Sequence, residues 1–69
     1  MHPSLESSAR WHGRRIGEAR RRTDSATAAY EAQWWRYMRS HYSSIEQADA
    51  DAIFYRAERA ALVGEERSQ

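Results

Sequence analysis

Apolar side chains recur along the chain at helical rather than strand spacing. Leu5, Ala9, His12, Ile16 and Ala19 follow one another at steps of four, three, four and three, a single narrow stripe on an α-helix. Within that stretch Gly13 and Gly17 each cost about 1 kcal/mol relative to alanine, which predicts weakened early turns. Thr23-Asp24-Ser25 comes next, with side-chain oxygens suited to accept the unpaired amides of a new helix starting near Ala26. Beyond it Tyr30, Trp34, Tyr37 and His41 share one face. Trp35, Met38 and Tyr42 widen that face into an arc of roughly 180°, too broad for a single contact. Ser43 and Ser44 with Glu46 and Gln47 form two overlapping Ser-x-x-Glu/Gln capping boxes. A last helix over about 45 to 63 carries Ile45, Ala48, Ala52, Ile53, Ala57, Ala60 and Val63 as its apolar stripe, with Phe54, Tyr55 and Leu62 pointing elsewhere. Gly64 is a natural stop.

Pro3 is the only proline, and no strand pattern competes, so the expected fold class is all-α: a small bundle of three to four helices. One domain over residues 1–64 with a polar tail at 65–69 is the expected organisation. Of the 69 residues 28 are apolar, but 12 of these are alanine, leaving 16 larger side chains of which eight are aromatic. Rings therefore carry most of the burial available. A chain this short buries only about 60% of the surface its unfolded state exposes, which makes a compact helical domain, an obligate dimer and a segment ordered by its partner the three outcomes to consider.

The net charge is +1, but it is unevenly spread. Residues 1–22 hold six arginines against two acids, whereas residues 43–69 hold six acids against three arginines. Such asymmetry fits either a basic end facing an anionic partner or a basic first helix folded against an acidic last one. Guanidinium groups pair with phosphate oxygens in bidentate fashion, so Arg14, Arg15, Arg21 and Arg22 are candidate nucleic-acid contacts, with Trp11 able to stack beside them.

Catalysis is not expected. The chain has no cysteine, its three histidines (His2, His12 and His41) have no metal-ligand spacing, and Glu46, Asp49 and Asp51 lack a convergent base or nucleophile. No Gly-rich phosphate loop is present. No cofactor, metal or small-molecule substrate is therefore expected. The start Met1-His2-Pro3-Ser4 leads into no apolar run of signal-peptide length, and nothing approaches a membrane span, so a cytoplasmic location is the default expectation.

The aromatic belt exceeds what a helical hairpin can bury. Trp34, Trp35, Met38 and Tyr42 are the candidate interface residues, because rigid rings contribute much of the energy of protein interfaces. A homodimer seam is the simplest case. The expected action is non-enzymatic binding, first to double-stranded DNA as a small regulator, and alternatively to a protein or to itself as a helical interaction module such as an inhibitor, antitoxin or adaptor.

Two stretches resemble the Cro/repressor-like helix-turn-helix family. Gly13-Arg14-Arg15-Ile16-Gly17-Glu18-Ala19-Arg20 is similar to that family's first helix, and Arg39-Ser40-His41-Tyr42-Ser43-Ser44-Ile45-Glu46-Gln47 to its recognition helix, so the resemblance spans about residues 12–48. It implies a DNA-binding regulator with a second helix near 25–35 and a recognition helix near 38–47. Tyr42 and Ile45 would be buried while Arg39, Ser40, Ser43 and Ser44 face the major groove, Arg39 being the best base reader. It also implies an ion pair between Arg20 and Glu46. The sequence departs from the family where a turn glycine is usual: Trp35-Arg36-Tyr37 stands there, and Ala48 follows the Ile-Glu pair. Without that turn the same residues make one long aromatic helix over about 25–42 followed by a capped helix, a helical hairpin behind a basic N-terminal helix.

Overall fold

A computed structural model describes residues 2–64 as three α-helices: α1 (Pro3–Arg21), α2 (Ser25–Arg39) and α3 (Ser44–Val63). The polar tail expected at 65–69 lies outside the described residues. Among the described residues no helix is long and apolar enough to cross a membrane, and no cluster of three or more His, Cys, Asp or Glu is placed to hold a metal ion.

Each helix starts where a side chain can take up its unpaired amides. His2 caps α1 by accepting the Ser4 N–H at 3.1 Å, with Pro3 supplying the first helical residue. Asp24 caps α2 by accepting the Thr27 N–H at 3.1 Å. Of the two capping boxes open at the start of α3, the chain uses Ser43 with Glu46: each accepts the other's backbone N–H. Gln47 instead donates to the Tyr42 carbonyl at 2.8 Å, and Gly64 ends α3 in the left-handed conformation at φ 75°. Thr23, between α1 and α2, also adopts positive φ, 58°, which a β-branched residue accepts only at a cost of roughly 1–2 kcal/mol.

Thr27 holds the Asp24 carboxyl below its ordinary value of 3.8, the hydroxyl first and the backbone N–H second. A lowered carboxyl contributes stability above the ordinary value and loses it as the pH falls through the folded one. Asp24→Asn keeps an acceptor at the cap but removes the charge. Thermal melts between about pH 6 and about pH 3 are therefore expected to show a smaller acid-side loss of stability for Asp24→Asn than for the parent chain.

The two glycines of α1 set the packing. A Cβ built on Gly13 would lie 3.1 Å from the Ala57 Cβ and one on Gly17 only 2.8 Å from the Ala61 Cβ, with the carbonyl oxygens of Phe54 and Glu58 closer still. Real Cβ atoms do not approach so closely, so α3 lies against bare α1 backbone. As α1 advances from Gly13 to Gly17, α3 advances from Phe54–Ala57 to Glu58–Ala61, and the two helices therefore run parallel. The expectation of weakened early turns is corrected here: residues 3–21 are continuous helix, and the glycines are where the partner helix sits.

α2 returns antiparallel between them in sequence, and packs mainly on α1. Its inward face carries Trp35, whose ring stacks on Phe54 of α3 at 5.1 Å between centroids and 7° between planes. These two rings form the core with Leu5, Ala9, Ile16 and Ala50. Of the eight rings Trp35 and Phe54 enter this core and Tyr42 packs against it, Trp11, Tyr30, Trp34, Tyr37 and Tyr55 are exposed, and alanines with the α1 glycines fill much of the rest. The inward stripe of α3 is also corrected. Ala50, Phe54 and Ala61 are buried, while Ile45 is 76% exposed and Val63 is exposed, because the face that meets the α1 glycines must be small and the face that meets Trp35 must be flat.

Among the described residues one charged side chain, Glu31, is buried in this interior. Glu31 on α2 accepts from the His12 ring Nδ1 at 2.8 Å, and the Arg15 Nε stands 3.7 Å from its other oxygen. The carboxylate thereby joins α2 to α1, with its charge compensated from the basic helix.

Candidate binding surfaces

The helix-turn-helix mapping expected a break at Trp35-Arg36-Tyr37. α2 instead runs unbroken to Arg39, the chain turns over residues 40–43, and the stretch 38–47 is divided between the end of α2, that turn and the start of α3. Trp35 lies inside α2, with its ring stacked on Phe54 of α3. The implied pair of Arg20 with Glu46 is likewise corrected: Arg20 binds Glu58 at 2.5 Å, while Glu46 is held by Ser43.

The candidate nucleic-acid residues do not converge on one surface. Arg39 forms a two-pronged ion pair with Asp51, at 3.0 Å through Nε and 2.6 Å through Nη2, which ties the end of α2 to α3. The Ser40 hydroxyl donates to the Tyr37 carbonyl at 2.6 Å, Ser43 is the helix cap, and Ser44 is the exposed first residue of α3. These four lie at the corner between α2 and α3. Arg21 and Arg22 sit at the far end of α1, Arg22 within 3.5 Å of Asp24 and Arg21 beside Gly64. Arg14 and Arg15 lie midway along α1, each with its guanidinium carbon 5.5 Å from the centre of the Trp11 ring.

The candidate interface residues separate by face. Trp35 is only 5% exposed and belongs to the core, while Met38 and Tyr42 are half-buried and pack against it. Trp34 faces out. It stands between Tyr30 and Tyr37 in a ladder of edge-to-face rings, 6.4 Å and 6.1 Å between centroids, and the ladder continues from Tyr37 to His41 at 4.8 Å. Tyr30 is 58%, Trp34 49% and Tyr37 61% exposed. Gln33 lies beside them and, with these three, lines a shallow depression. The face contains no Asp, Glu or Arg, since the charged residues of α2 (Glu31, Arg36 and Arg39) all fall outside it. Tyr30 and Tyr37 were readable in the sequence as facing with Trp34, but not as the exposed half of the arc.

A second surface lies along the outer side of the parallel α1–α3 pair. Ser7, Arg10, Trp11 and Arg14 of α1 face Ile53, Arg56, Ala57 and Ala60 of α3 across an open groove of about 540 Å³. Arg56 escaped sequence reasoning because its place beside Arg14 depends on the register of two helices far apart in the chain. The one available signal was the matched spacing of small residues, Gly13-x-x-x-Gly17 and Ala57-x-x-x-Ala61.

Comparison with known proteins adds no relative: no family model, no curated protein and no solved structure matches the chain.

Proposed function

We propose that this chain is a helical protein-interaction module that works through the outward face of α2, with a second copy of itself as the partner. One observation carries the reading: three large rings stand exposed on an uncharged helix face while the neighbouring Trp35 is fully used in the core. Uncompensated apolar rings on a chain with so small an interior are the composition of a docking surface. Their order favours self-association. Tyr30 and Tyr37 flank Trp34 at four and three residues, so a twofold axis passing near Trp34 brings Tyr30 of each copy toward Tyr37 of the other, and an uncharged face meets itself without repulsion.

Sedimentation equilibrium tests this on the intact chain and on Tyr30→Ala/Trp34→Ala/Tyr37→Ala between about 10 µM and about 1 mM, a range over which mass action governs assembly. The parent is expected to approach dimer mass and the variant to remain a monomer with an unchanged helical spectrum. Equal masses for both at every concentration would overturn the proposal.

The same geometry weakens the DNA-binding alternative, because Arg39 is engaged by Asp51 and the other candidate arginines lie apart from it, Arg14 and Arg15 midway along α1 and Arg21 and Arg22 at its end. In a mobility-shift titration that alternative requires a complex weakening by about 0.9 log units per log unit of salt for each phosphate neutralised, and lost on Arg39→Ala. The expected result here is that Arg39→Ala lowers stability by leaving Asp51 unpaired and changes no duplex binding.

A further inference from the structure

The groove along the outer side of α1 and α3 shares no residue with the aromatic face of α2, and its chemistry differs. Its floor is apolar and low, made of Ile53, Ala57 and Ala60, and Trp11 rises as one wall with 49% of its surface exposed. Its rim is cationic. Arg10 and Arg14 stand on the α1 side and Arg56 on the α3 side. Arg10 is paired with Glu6 at 2.6 Å; among the described residues Arg14 and Arg56 are in no ion pair. Of the acids of α3, Glu58 is held by Arg20, Asp51 by Arg39 and Glu46 by its capping box, while Asp49, exposed one turn before Ile53, stands at the N-terminal end of the same face, away from Arg56.

From this combination we infer that the groove binds an acidic amphipathic helix from a partner protein. Two parallel helices in close contact leave a trough along their seam that receives a third helix, whose apolar stripe lies on the floor. The small side chains of Ala57 and Ala60 let the ligand approach, and Trp11 supplies the large rigid contact typical of binding hot spots. Carboxylates flanking the ligand's apolar stripe meet guanidinium groups on both banks, with Arg14 and Arg56 offering planar forks for them. A nucleic-acid strand fits less well, since the floor is aliphatic and offers a single ring for stacking.

The test is a titration of the isotope-labelled full chain, followed by nuclear magnetic resonance. The probe is a synthetic helix of about 15 residues, long enough to form helix on binding, with leucines along one face and glutamates on both flanks. The same peptide with lysine in place of glutamate and a single-stranded oligonucleotide of similar length are the comparisons. The acidic peptide is expected to shift the Trp11 indole and the Ala57 and Ala60 methyl signals, leaving Trp34 unmoved. Arg14→Glu/Arg56→Glu, both at exposed positions, is expected to weaken the acidic peptide about tenfold and to admit the lysine peptide instead. Three results would each overturn the inference: no groove shifts at millimolar acidic peptide, equal affinity for the double variant, or groove shifts with the oligonucleotide alone. Because Trp34 is the readout for the α2 face, failure here is separable from failure of self-association.

Discussion

Gly13→Ala and Gly17→Ala are expected to destabilise the domain, although helix propensity alone would make both substitutions stabilising by about 1 kcal/mol each. The opposing effect is steric. A methyl group at Gly17 would sit 2.8 Å from the Ala61 Cβ and against the Glu58 carbonyl, and one at Gly13 would press on the Phe54 carbonyl, which is backbone and cannot swing aside. Overpacking of this kind typically costs about 1–3 kcal/mol, and here α3 must lift from α1 along the seam, so the upper end applies at each site. The net expectation is a loss of about 1–2 kcal/mol for either change, or about 4–8 °C in melting temperature for each kcal/mol in a domain of this size. Together the two changes remove most of the roughly 3–5 kcal/mol that a core this small supplies. Thermal melts followed at 222 nm decide the matter. A rise in melting temperature for Gly17→Ala would mean that the helices do not touch there.

The second large effect separates two neighbours in the chain. Trp35→Ala is expected to cost about 3–5 kcal/mol, because it removes the stack on Phe54 and opens a cavity in the core that the rigid helices cannot close. For a marginal domain that is loss of the fold. Trp34→Ala, one residue earlier, is expected to cost far less, about 1 kcal/mol at protein concentrations where the chain is a monomer, since it loses only edge-to-face contacts at the surface. Urea unfolding of the two variants side by side measures the contrast. Similar losses in both would mean that α2 is rotated about its axis from the orientation described, and that the aromatic face is not the outer one.

The starts of α2 and α3 and the end of α3 were legible in the sequence because caps are local: Asp24, Ser43 with Glu46, and Gly64 each act on backbone groups within a few residues. The His2 cap of α1 and the end of α2, open there between residues 35 and 42, were not. Nor was the orientation of the aromatic arc. Tyr30, Trp34 and Tyr37 on one side and Trp35, Met38 and Tyr42 on the other are equivalent on a helical wheel, and the choice between them rests on Phe54 receiving the Trp35 ring across the bundle. The glycines were legible as a local cost but not as a contact, since their benefit lies in Ala57 and Ala61 more than forty residues away. Arg39 illustrates the same gap at the level of function. As a sequence feature it is an exposed base reader; its partner Asp51, twelve residues on, comes within reach only once α2 and α3 turn at residues 40–43. The basic groove needed Trp11 and Arg14 to be set beside Arg56, which only the parallel register of α1 and α3 provides.

The outward rings of α2 can be watched directly in a sample mixed from isotope-labelled and unlabelled copies, in which only contacts between molecules give filtered nuclear Overhauser signals. Self-association through this face predicts cross-peaks between copies that join Tyr30 to Tyr37 and surround Trp34. No such cross-peaks at millimolar concentration, or cross-peaks confined to another surface, would contradict it.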